Sequence, residues 1–129
     1  MLEATSLFTR RRAYATLPFV SRVVVDILAL HERVVVTRRT MEKVELGIHG
    51  GDAVALDEEY REMMERLREL VRELDLVGVD IEDFEAGLVT FPMVDRQGDA
   101  VYAWLPGKPE EIVKIKRDRL CELLKKGTR

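Results

Sequence analysis

The feature that most constrains this chain is a spacing. Val20, Val23, Ile27, Leu30, Val34, Thr37, Met41, Val44 and Ile48 follow one another at alternating steps of three and four, and only Thr37 is polar. Such a repeat keeps one side of a helix against a partner helix over many turns. The valine runs 23–25 and 34–36 favour strands by propensity, so two short strands are the rival. The unbroken register, with neither Gly nor Pro between Phe19 and Leu46, decides for helix.

Gly47, Gly50 and Gly51, followed by Asp52, mark a reversal, because glycine admits backbone angles that end a helix. A second stripe follows at Leu56, Tyr60, Met63, Leu67, Leu70, Leu74, Val77 and Ile81, with the other faces charged. Glu62 with Arg66 and Glu65 with Arg68 stand at helical pairing distances. Two seams joined by a short loop predict a long antiparallel helical hairpin over about 15–46 and 55–77.

Beyond Gly78 the period changes. Leu88–Phe91 and Ala100–Trp104 are short branched or aromatic runs separated by the turn-forming residues 95–99, which predicts a β-hairpin whose Pro92 sits at an edge or an end. Residues 112–116 read either as a third strand before a short C-terminal helix or as part of one helix over 109–126, and the strand is preferred. The class is therefore α+β, mainly α. One domain spans 1–129: an N-terminal arm (1–18), the hairpin (19–77) and a small β-containing part (78–129).

Composition narrows the function classes. Twenty-one basic against 24 acidic residues leave a formal charge of −3, with no global pull toward nucleic acid or an anionic membrane. The apolar stretch 20–36 is interrupted by Arg22, Asp26, His31, Glu32 and Arg33, too many charges for a bilayer span, so no membrane association is expected. A single cysteine, Cys121, excludes an internal disulfide, and a reducing cytoplasm is the expected compartment. Its leucine neighbours predict a buried thiol rather than a nucleophile.

Three local patterns resemble the domain of unknown function 2203 family, a group of prokaryotic proteins. Phe8-Thr9, Ala13 and Leu17-Pro18 resemble its opening pattern. The block 78–83, followed by Gly87-Leu88-Val89-Thr90-Phe91-Pro92, is similar to its most recognisable stretch, and Gly98, Val101, Tyr102, Trp104 and Gly107 to the strand and turn after it. The chain departs from the family pattern at Thr90, usually Asp, at Ala103, often Cys, and at Lys108, usually acidic. Ile115-Lys116-Arg117 stand roughly where a Trp-His-Glu stretch is expected. The resemblance implies no assigned activity.

No motif specifies chemistry. His31 and His49 lie about 27 Å apart along a helix, so they cannot share an ion within one chain, and neither metal nor cofactor is expected. Asp80, Glu82, Asp83 and Glu85 read as a solvated or capping connection rather than paired catalytic carboxylates. The glycines at 47–51 lack the Lys and Ser/Thr of a phosphate loop. Charge is asymmetric: residues 108–129 hold eight basic and four acidic side chains (+4), and 55–85 hold four basic and twelve acidic (−8). The basic tail is expected to meet the acidic second helix rather than a nucleic acid.

Three functions follow as expectations. The first is a non-catalytic interaction module that forms a homodimer through apolar surface left over on the first helix, where residues 20–36 hold eleven apolar side chains of seventeen. Val24, Leu28, His31 and Val35 are the expected contacts. The second is a ligand-binding protein or small enzyme with a pocket around Asp83, Glu85, Tyr102 and Trp104. The third is nucleic-acid binding through Arg10, Arg11, Arg12 and the basic tail.

Overall fold

The computed structural model describes residues 7–48, 50–93 and 99–127. Helix α1 (Arg10–Glu45) and helix α2 (Ala53–Leu76) form the hairpin. Strands β1 (Asp80–Asp83), β2 (Leu88–Pro92), β3 (Ala100–Trp104) and β4 (Ile112–Lys116) form one antiparallel sheet in that order, and a single 3-10 turn leads into helix α3 (Leu120–Gly127).

Helix α1 starts earlier than the sequence predicts, at Arg10, because Thr9 caps it: the Thr9 hydroxyl accepts from the Arg12 backbone N–H at 3.1 Å. Pro18 lies inside the helix on its exposed side. Its missing N–H removes one helical hydrogen bond, yet continuing through it buries Ala13 and Leu17. Both long helices end the same way. Ile48 N–H reaches Lys43 O while Gly47 N–H reaches Val44 O, and Val79 N–H reaches Leu74 O while Gly78 N–H reaches Asp75 O. This paired closure needs a left-handed residue, supplied by Gly47 and Gly78.

The predicted seams meet. Val20, Val23, Ile27, Leu30 and Val34 of α1 are buried with Met63, Leu67, Leu70 and Leu74 of α2. Farther out, from 35 to 62, no described residue is fully buried, and Thr37, Met41, Val44, Leu56 and Tyr60 are half-buried. The hairpin thus has a base clamped by the sheet and a projecting two-helix tip.

Sheet register explains the clamp. Ile81, Val89, Trp104 and Ile112 form one row and Phe91 and Tyr102 the next, all on the face that joins the helical core. The opposite face carries Leu88, Thr90, Val101 and Ala103, which are buried as well. Arg117, just after β4, reaches across to Glu82 of β1 at 3.9 Å. The N-terminal arm is tied to the sheet too. Phe8 bridges to Met93 and packs edge-on against Phe91, with ring centroids 5.2 Å apart.

Two differences from the sequence reading are physical. The sheet has four strands rather than two or three, because the supposed acidic connection pairs with β2 as an edge strand. Cys121 is exposed rather than buried: α3 is one short amphipathic turn pair whose Leu120, Leu123 and Leu124 take the inward side. The strand at 112–116 and the short helix after it are present as preferred. His49 and most of the 95–99 turn lie outside the described residues.

Candidate functional site

Helix α1 is apolar on three sides, and two of them are covered. One side meets α2. The next carries Val24, Leu28, His31 and Val35, and the small β part of the same chain roofs most of it. Val24 has no exposed surface, and the His31 ring stacks on Phe84 with centroids 5.9 Å apart. Gly87 is the point of closest approach: a Cβ there would lie 3.0 Å from Val24, 3.2 Å from Leu28 and 2.9 Å from Pro106, and its φ of +75° is one that only glycine adopts freely. Of the four expected contact residues, Val24, Leu28 and His31 are therefore largely occupied within one chain, and Val35 is half-buried.

The third side stays open. At a hundred degrees per residue, Pro18, Arg22, Val25, Ala29, Glu32 and Val36 fall on one stripe, at steps of four and three, roughly opposite the α2 seam. All six are exposed, Val25 at 59% and Val36 at 54%. Among the described residues no ion pair holds Arg22 or Glu32. By length and composition alone α1 would pass as a membrane-crossing helix; in the fold its apolar residues are shared among these three faces.

Helix α2 contrasts with it. Its outer face is charged and in part paired internally: Arg61 pairs with Asp57 at 3.1 Å, and Arg66 with Glu69 at 3.1 Å and Glu73 at 3.9 Å. These replace the Glu62–Arg66 and Glu65–Arg68 pairs expected from spacing. Two arginines of the basic tail find their partners elsewhere. Arg117 faces Glu82, and Arg119 binds Glu122.

The pocket residues are scattered. Tyr102 and Trp104 lie on the helix-facing side of β3, where the Trp104 indole N–H donates to Pro109 O at 3.0 Å and the Arg10 guanidinium sits 5.2 Å above the Tyr102 ring. The Asp83 carboxylate accepts from the backbone N–H groups of Glu85 and Ala86, at 3.0 and 2.7 Å, and so closes the β1–β2 turn. Glu85 itself is exposed.

Sequence reasoning missed a polar cluster on the far face of the sheet. The buried Thr90 hydroxyl donates to Glu82 at 2.8 Å, beside Arg117. Partial desolvation, then the charges of Glu82 and Asp75, raise the Asp80 carboxyl above its ordinary value of 3.8 despite the opposing pull of Arg117. Thr90 pairs directly with Ala103 in the register, so two of the chain's departures from the expected family pattern are neighbours here. Among the described residues, no three His, Cys, Asp or Glu side chains are grouped to hold a metal ion.

A family model described as uncharacterized conserved protein (DUF2203) matches residues 6–114. The chain belongs to the DUF2203 family. The match takes in the N-terminal arm from residue 6, both long helices and the sheet as far as Lys114 within β4. No curated protein and no solved structure matches this DUF2203 chain.

Proposed function

We propose that this DUF2203 protein is a non-catalytic interaction module that self-associates through the outer face of α1. One observation carries the reading. After α2 and the sheet have each covered a side of α1, a third stripe with Val25 and Val36 more than half exposed still runs along its length. A helix packed in a layered fold ordinarily turns charged residues outward, as α2 does, and exposed valines recurring along a solvent face, even with Arg22 and Glu32 between them, mark an association surface. The proposed contact is thus moved about a third of a turn round α1 from Val24 and Leu28 to Val25 and Val36.

The other two readings have less behind them. The pocket residues serve a turn, an indole hydrogen bond and a packed ring. Of the N-terminal arginines, Arg10 binds Ile112 O at 2.9 Å and Arg12 binds Leu7 O at 2.7 Å while covering the Phe8 ring, so the basic patch is spent largely on holding the arm to the sheet.

The stripe from Pro18 to Val36 is about 27 Å long at 1.5 Å per residue, enough for a weak to moderate helix-pair contact rather than an obligate one. Gel filtration with light scattering tests the reading. At tens of micromolar a mass of twice the 14.9 kDa chain is expected, falling on dilution. A mass of 14.9 kDa throughout that range would overturn it.

A further inference from the structure

The open stripe is self-complementary, and we infer that its occupant is a second copy of this chain bound antiparallel in one defined register. The inference rests on the self-association proposed above and adds its geometry. Pro18, Arg22, Val25, Ala29, Glu32 and Val36 occupy alternating seam positions, and in an antiparallel helix pair each seam residue shares a layer with one of the other type on the partner. Centring the two-fold axis at the level of Ile27 puts Val25 in a layer with Ala29 of the second copy, and Pro18 with Val36. The same register puts Arg22 in a layer with Glu32 of the second copy. By symmetry every layer occurs twice, giving four apolar layers and two of opposite charge.

Other arrangements lose this. Sliding the pair by one heptad toward the hairpin tip sets Arg22 against Arg39 of the second copy, and sliding it the other way sets Arg22 against Val25. A parallel pair in register stacks Arg22 on Arg22 and Glu32 on Glu32, which repel. Arg22 and Glu32 are exposed, and the chain supplies neither with an ion-pair partner among the described residues, so both are free to serve a second copy. Their placement at seam positions explains charges in an otherwise apolar stripe: polar groups at seam positions select register and orientation at some loss of stability. On α2 the outer wall is charged at nearly every exposed position between Glu58 and Arg72, with Arg61 and Arg66 paired within the chain, so the alternation of valine and alanine seen on α1 is not repeated there.

A charge-reversal cycle read by sedimentation equilibrium tests the register. Arg22→Glu alone sets Glu against Glu in two layers, and Glu32→Arg alone sets Arg against Arg; each is expected to weaken the dimer about tenfold, an effect that fades in high salt. The double variant Arg22→Glu/Glu32→Arg restores opposite charge in the same layers and is expected to return the dissociation constant to near the starting value. Circular dichroism checks that each variant keeps its helix content, which these exposed sites leave undisturbed. A wild-type dimer that both single variants weaken and the double variant does not rescue would overturn the register while leaving self-association standing. A wild-type protein that is monomeric at the highest concentration reached would overturn both.

Discussion

The two long helices share an inner design and differ on the outside. Each presents a buried seam to the other, with Ile27 and Leu74 both fully buried. Behind its seam α2 ends in a dense row of charges, some of which pair within a turn or two of each other, whereas α1 ends in a stripe of valine and alanine interrupted by one Arg and one Glu that are in no ion pair among the described residues. The difference teaches that the outer face of α2 is charged while that of α1 keeps apolar surface, and it is this surface that the proposed association uses. Amphipathic patterning marks where a helix meets its core; the surplus apolar face is what points beyond it.

The largest expected effects should be equal on the two helices. Ile27→Ala and Leu74→Ala each remove a buried branched side chain and are expected to cost about 2–5 kcal/mol in urea unfolding. A far smaller loss at Ile27 than at Leu74 would break the symmetry of the inner faces. Gly87→Ala probes the roof over Val24 and Leu28. A positive φ and a methyl at 3.0 Å or less from packed neighbours should cost about 1–3 kcal/mol, read as a lower melting temperature.

The outer faces are expected to separate stability from assembly. Val25→Glu combined with Val36→Glu should abolish the dimer while changing the stability of the single chain by no more than about 0.5 kcal/mol. Arg66→Glu on α2 should leave the dimer intact and lower stability by no more than about 1 kcal/mol, with two exposed pairs lost.

The smallest effect is a matter of pH. The Asp80 carboxyl is raised above 3.8, first by desolvation and then by Glu82 and Asp75, so the fold favours its protonated form. That contribution is fully present below 3.8 and is lost as pH rises through the raised value. Asp80→Asn is therefore expected to stabilise the protein slightly at neutral pH, with the gain fading as thermal melts are run toward pH 3.8 and below.

Much of this architecture was legible because the seams are long. Eight of the nine alternating positions fall in α1 and six of the eight in α2, the stripes overrunning the helices only at Ile48, Val77 and Ile81, and the branched runs at 88–91 and 100–104 announced β2 and β3. The strand β1 was not legible. It points a single apolar residue, Ile81, at the core, and one residue has no period. The start of α1 was hidden by Pro18, which reads as a boundary although the Thr9 cap and the burial of Ala13 and Leu17 outweigh it. The surplus of apolar residues on α1 was legible, but its side was not. Val24 and Val25 are neighbours in sequence and only the closing of the sheet through Gly87 decides which is covered. The Glu82–Thr90–Arg117 cluster joins residues of β1, β2 and the end of β4 that only the pairing of the sheet and the reach of the Arg117 side chain bring together.

The most direct test of the difference between the helices is covalent trapping. In a Cys121→Ser background, which removes the exposed native thiol, one sample carries Val25→Cys and a second carries Ala29→Cys. Mixed and gently oxidised, the two should yield a disulfide-linked species of twice the 14.9 kDa chain mass, and cysteines at Glu62 and Glu69 on the outer wall of α2 should not. Equal cross-linking from α2, or none from α1, would contradict the account.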